Sequence, residues 1–87
     1  MVEYKLKKPI NKVTGEKIES VELRDDFTGD DLEKVGNARS KGGDGTSMIQ
    51  MVACATGLAV NVVKTMASSD IIAISGIVQP FFGDGET

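Results

Sequence analysis

Few side chains in this sequence are of a type that could do chemistry, and their spacing narrows the choice further. The chain has no histidine, so the commonest general base and neutral metal ligand is missing. Its one cysteine, Cys54, lies in an apolar stretch with no base beside it and reads as a buried structural thiol. Asp25, Asp26, Asp30 and Asp31 are clustered, but without the ligand spacing of a calcium loop. They read as a solvated loop followed by negative charge at a helix N-terminus, and Asp70 reads as a first-turn residue of the same kind. Gly42-Gly43-Asp44-Gly45-Thr46 precedes a helical pattern, where backbone N–H groups can meet an anion, yet it has neither a preceding strand nor a Gly-Lys-Ser/Thr ending. It reads as a linker. These residues support no catalytic site, metal site or cofactor site.

One constellation has a specific rival reading. Ala53, Gly57, Leu58 and Val63 stand at helix-turn-helix spacing: a small residue for close approach, a glycine for the turn, apolar residues to lock the second helix. A DNA reader also needs basic and polar side chains on that second helix, which here offers only Asn61, Lys64 and Thr65. With a net charge of −3, the chain gains nothing from a phosphate backbone. A tight packing unit is the preferred reading, with a DNA-binding regulator as the alternative.

The elements that must position these residues follow from periodicity. Val2, Tyr4 and Leu6 alternate with charged residues, as in a half-buried strand. Pro9 ends ladder pairing there, Asn11 to Gly15 is a turn, and Ile18, Val21 and Leu23 mark a second strand. Ile18 and Val21 differ in parity, which places a bulge or register change near Ser20. Thr28 is an N-cap candidate for a short helix over 28–39 carrying Leu32 and Val35. Residues 40–46 read as a glycine-rich loop. Thr46 or Ser47 then caps a helix carrying Met48, Met51, Val52 and Ala55, which stops at Gly57. Leu58, Val62, Val63 and Met66 carry a further short helix. Ile71, Ile74, Val78 and Phe81 carry the last one, which starts at Ser68-Ser69-Asp70 and ends or kinks at Pro80. For that last segment a strand–turn–strand reading remains open, because isoleucine favours strands. Gly83 to Thr87 reads as a frayed polar tail.

The fold expected is a single α+β domain over 1–87, an N-terminal β-hairpin (1–24) followed by three or four short α-helices, with an apolar helical region at 47–82. Residues 1–45 hold ten of the thirteen acids and nine of the ten bases. A helix apolar on all faces is normally covered on all faces, and a chain of this size has difficulty covering three of them. Some of that surface is therefore expected to meet a partner or another copy of the chain. The apolar part of the longest uncharged run, Met48 to Val63, is shorter than the roughly 20 residues of a spanning helix, and no signal peptide is visible. No membrane partner is expected, although a small membrane-active lysis regulator is kept as a second alternative. The lone cysteine suits a reducing compartment.

A family resemblance runs over nearly the whole chain. Leu6-Lys7-Lys8-Pro9-Ile10, Gly15-Glu16, Val21-Glu22-Leu23-Arg24 and Thr28-Gly29-Asp30-Asp31-Leu32 resemble the first half of the small tail assembly chaperones of Mu-like and related contractile-tailed phages. Ala55-Thr56-Gly57-Leu58, followed by Val62 or Val63, Met66, Asp70, Val78 and Phe81, resembles the second half. The glycines at 42–45 and the scarcity of charge in the following helix depart from it. The resemblance implies a non-catalytic protein of the host cytoplasm, absent from the finished virion. Its partner would be the helical tape-measure protein, kept soluble until the tail tube protein polymerises around it. It also implies that this chain is the short form of a pair whose longer form is made by frameshifting. Adaptable apolar surface suits such a role. The side chains expected to carry it are Met48, Met51, Val52 and Val62, with Ile77, Phe81 and Phe82 at the end.

Overall fold

The computed structural model describes all residues except 1, 12, 13 and 83–87. The expected tail at Gly83 to Thr87, and part of the expected turn between the strands, lie outside the described residues. Strand β1 (Val2–Asn11) pairs antiparallel with β2 (Lys17–Leu23). Helix α1 (Gly29–Thr56), the single turn α2 (Val60–Val63) and helix α3 (Ser68–Val78) follow, and a 3₁₀ turn, Gln79–Phe82, ends the described chain. This is the expected α+β order, a hairpin then helices. Three α-helices are present among the described residues, and the last segment is helical, not strand–turn–strand.

The hairpin changes register next to Ser20. Tyr4 pairs with Val21 and Lys5 with Ser20, but Ile10 pairs with Ile18. Four residues of β1, Leu6 to Pro9, thus face Glu19 alone. The extra residues sit on β1, and they explain the parity break on β2, since Ile18 can now lie opposite the buried Ile10. Pro9 does not end the pairing as expected. It lies in the bulge, where its missing N–H costs no ladder bond, and pairing resumes at Ile10.

Thr28 caps α1 as expected. Its hydroxyl accepts from the Asp31 N–H at 3.3 Å, and the Asp31 carboxylate accepts from the Thr28 N–H at 3.0 Å, a reciprocal capping box. The helix does not stop at residue 39. Instead of a glycine-rich loop over 40–46, helical structure continues to Thr56 with one non-helical residue, Gly43, at φ 85° and ψ −162°. Neither Thr46 nor Ser47 is an N-cap; the Ser47 hydroxyl donates to the Asp44 carbonyl at 3.0 Å.

That single residue reverses the chain. The Arg24 guanidinium lies 3.3 Å from the Asp31 carboxylate and donates to the Cys54 carbonyl at 3.4 Å. On a straight helix those two residues would be about 34 Å apart at 1.5 Å per residue. α1 is therefore two antiparallel arms, 29–42 and 44–56, folded together at Gly43. The first arm is charged and mostly exposed, burying only Asp31 and Val35. The second arm is central: every residue from Ser47 to Thr56 is buried or half-buried. Its all-round apolar character is satisfied by the hairpin, the first arm and α3.

The core gathers Leu6, Ile10, Val21 and Leu23 from the hairpin, Val35 from the first arm, and Met51, Val52, Ala53 and Ala55 from the second. Val63, Met66, Ile74 and Val78, from α2 onward, complete it. Gly57 closes the second arm in the left-handed conformation (φ 79°), its N–H donating to the Ala53 carbonyl.

Candidate binding surface

Two polar centres hold the elements in place, and both determine where exposed apolar surface is left. The first is Arg24, just after β2. Its N–H donates to the Ala55 carbonyl at 3.0 Å, joining strand end to helix end. Its guanidinium bridges Asp31 and Cys54 and lies over the Phe27 ring, 5.1 Å from the centroid. Phe27 in turn stacks on Phe82 at 4.2 Å between centroids. The hydrogen bonds from Thr28 outweigh the burial of Asp31 and, with Arg24 and Lys34 nearby, hold its carboxyl below the usual range. Arg24→Ala should cost about 1–2 kcal/mol of stability, read as a lower denaturation midpoint at unchanged m-value, and should free Phe82 from its stack.

The second centre is Asp70, which has no solvent exposure. It occupies the first turn of α3, as the sequence suggests, but it does not serve as solvated helix-end charge. Its carboxylate accepts from the N–H of Lys7 at 3.0 Å, the N–H of Lys8 at 3.1 Å and the Tyr4 hydroxyl at 2.9 Å. The bulge in β1 takes Lys7 and Lys8 out of the ladder, and Asp70 supplies the acceptors β2 no longer provides. Burial works against its charge, yet these three bonds win and keep its carboxyl below the usual carboxylate range. For Tyr4, burial and the neighbouring Asp70 both push the hydroxyl pKa up. Sequence reasoning missed this lock. The available signal was that Asp70 is the one acid in the stretch from 46 to 82, where Lys64 is the only other charge.

Between the arms of α1 and the C-terminal turn runs a shallow groove made of two adjoining depressions, the first mainly apolar and the second more polar. One, about 190 Å³, is lined by Leu32, Val35, Gly36 and Arg39 of the first arm, Met51 of the second, and Gln79 and Phe82. The other, about 210 Å³, shares Arg39, Met51 and Gln79 and adds Asp44, Ser47, Met48 and Ser75. Leu32 is 55% exposed at its edge, and Phe81, next to Phe82, is 41% exposed. Of the seven side chains expected at a partner surface, Met48, Met51 and Phe82 meet in this groove and Phe81 lies beside it. Val62 and Ile77 are half-buried and line neither depression. Val52 is corrected to a core residue: it has no exposure, because the second arm is covered on every side. Leu32 and Gly36 were not expected here; the fold-back at Gly43 brings them to the methionines.

The expected helix-turn-helix reduces to a packing corner. Its second helix, α2, is one turn of four residues, too short to lay successive turns in a major groove. Among the described residues no helix is long and apolar enough to cross a membrane. The Asp31 carboxylate, within the acidic cluster, is occupied by Thr28 and Arg24.

A family model described as "Phage tail assembly chaperone proteins, E, or 41 or 14" matches residues 3–83. The chain belongs to this family of phage tail assembly chaperones. The match covers the hairpin, both arms of α1, α2 and α3, so the groove and both polar centres of the chaperone lie inside it. No curated protein and no solved structure matches the chain. As a tail assembly chaperone it acts on phage tail proteins during assembly in the host.

Proposed function

We propose that this chaperone is a non-catalytic holdase for the tape-measure protein, the long helical component around which a phage tail is built. It binds the apolar stripe of a tape-measure helix in the host cytoplasm, keeps that protein soluble until the tail tube protein polymerises around it, and is released before the virion is complete. The observation that carries this reading is the groove lined by Met51, Met48, Phe82 and the exposed Leu32, with the exposed Phe81 next to Phe82 in the chain. Helix-in-groove recognition needs an apolar trough that takes side chains at i, i+3, i+4 and i+7, and methionine adapts to different side chains along a repetitive client. The charged hairpin and first arm keep the complex soluble. The test is co-expression of the chaperone with the tape-measure protein of the same phage. Soluble tape-measure protein that copurifies with the chaperone is the expected result. A tape-measure protein that stays insoluble, with no complex recovered, overturns the proposal.

A further inference from the structure

The fold-back of α1 rests on two adjacent glycines, and nothing else separates its arms. Gly43 holds φ 85° and ψ −162°, a conformation essentially reserved for glycine. A Cβ added at Gly42 would collide with the Thr46 side chain in this folded form. On a straight helix residues 42 and 46 are ordinary i, i+4 neighbours with room for both side chains. Residues on either side of Gly43 are already helical. If Gly43 turns helical, α1 becomes one 28-residue helix with no loop to rebuild.

We propose that Gly43 is a domain-exchange hinge, and that a second copy of this chain is the partner when it opens. In the exchanged dimer the hairpin and first arm of one copy dock on the second arm and α3 of the other. Every long-range contact that closes the monomer is remade between copies: Arg24 to Ala55 and Cys54, Asp70 to β1, Phe27 to Phe82. A hinge without a loop is the setting in which such exchange is favoured. The two straight helices cross antiparallel beside Gly42 and Gly45, which share a face at i, i+3 and, lacking side chains, let the backbones approach. That crossing brings Arg39 and Lys41 of one copy toward Asp44 of the other, replacing the exposed 3.7 Å Arg39–Asp44 pair within one copy. This inference is independent of the client the chaperone holds.

The experiment is sedimentation equilibrium on the full chain, with subunit exchange followed by native mass spectrometry of differently labelled copies. Gly43→Ala disfavours the hinge conformation by about tenfold, so two hinges should raise the dimer association constant on the order of a hundredfold. Gly42→Ala should shift it the same way, and a four-residue Gly-Ser insertion after Gly43 should shift it back toward monomer. Exchange between preformed dimers should be slow at 25 °C and accelerate near the melting temperature, because separation requires opening the core. A folded, monomeric Gly43→Ala chain overturns the proposal. So does an unfolded Gly43→Ala chain accompanied by a monomeric Gly42→Ala chain, or a dimer whose subunits exchange within minutes.

Discussion

Replacing Asp70 by alanine is expected to lower the stability of the chaperone by about 3–5 kcal/mol, enough to bring its melting temperature down by roughly 15 °C or more. The reason lies in the three donors left behind. The N–H groups of Lys7 and Lys8 and the Tyr4 hydroxyl all end on this carboxylate. The two N–H groups have no replacement acceptor in the β2 ladder, because the bulge separates β1 from its partner there. Asp70→Asn keeps the shape but turns an NH₂ toward a donor, and should cost about 2 kcal/mol. Tyr4→Phe removes one bond and leaves the other two, costing about 1 kcal/mol. Thermal or urea melts of the three variants should follow that order. An Asp70→Ala chain as stable as the parent would mean that α3 is not held to β1 through this group.

The same centre sets how stability responds to pH. Asp70 and Asp31 both have depressed pKa values in the folded chain, while unfolded aspartates titrate near 3.9. Below that value the unfolded chain takes up protons that the folded chain still refuses. Their contribution is therefore fully present above about pH 4 and is lost as the pH falls through the depressed folded values. Tyr4 acts with the opposite sign. Its raised pKa gives a contribution present below the unfolded value of about 10 and lost as the pH climbs past it. Urea melts between pH 2 and pH 11 should show both flanks. Asp70→Asn should flatten the acid flank in part, leaving the share that belongs to Asp31.

What was legible in the sequence was local. Thr28 as an N-cap and Asp31 as first-turn charge can be read from residue type alone; that the two bond reciprocally came from the fold. The parity break between Ile18 and Val21 located the register change, since side-chain alternation reports on a strand's own faces. It could not say which strand carries the extra residues, because that depends on the partner's length. Gly42 to Gly45 read as a loop because intrinsic propensity favours one; in the fold, packing of both arms keeps all but Gly43 helical. Asp70 illustrates the harder limit. Its partners are 62 to 66 residues away, and nothing near it in the chain distinguishes a buried acceptor from a solvated helix end. The apolar second arm is similar: Met48 at the groove and Val52 in the core have the same chemistry, and only the position of the first arm separates them.

The proposed client surface makes the second large prediction. Leu32→Asp and Phe81→Asp should each leave stability within about 0.5 kcal/mol of the parent, since both side chains are already substantially exposed. Each should weaken capture of a tape-measure helix on the order of a hundredfold. Burying a leucine or phenylalanine at a contact contributes about 1.5–3 kcal/mol, and an unpaired carboxylate facing an apolar helix adds a desolvation cost to that loss. Ile72→Asp is the decisive control. Ile72 is 58% exposed, as open as Leu32, but it stands on α3 away from the groove's lining, whereas Leu32 lines the groove and Phe81 directly precedes Phe82, which lines it. Measured by titration of each variant with a tape-measure segment, binding should survive the change at Ile72 and fail at Leu32 and Phe81. The reverse pattern would move the client to the outer face of α3. Equal losses at all three positions would mean that the chaperone captures its client by general apolar stickiness and not through a groove, because only a shaped site makes one exposed leucine matter and an equally exposed isoleucine not.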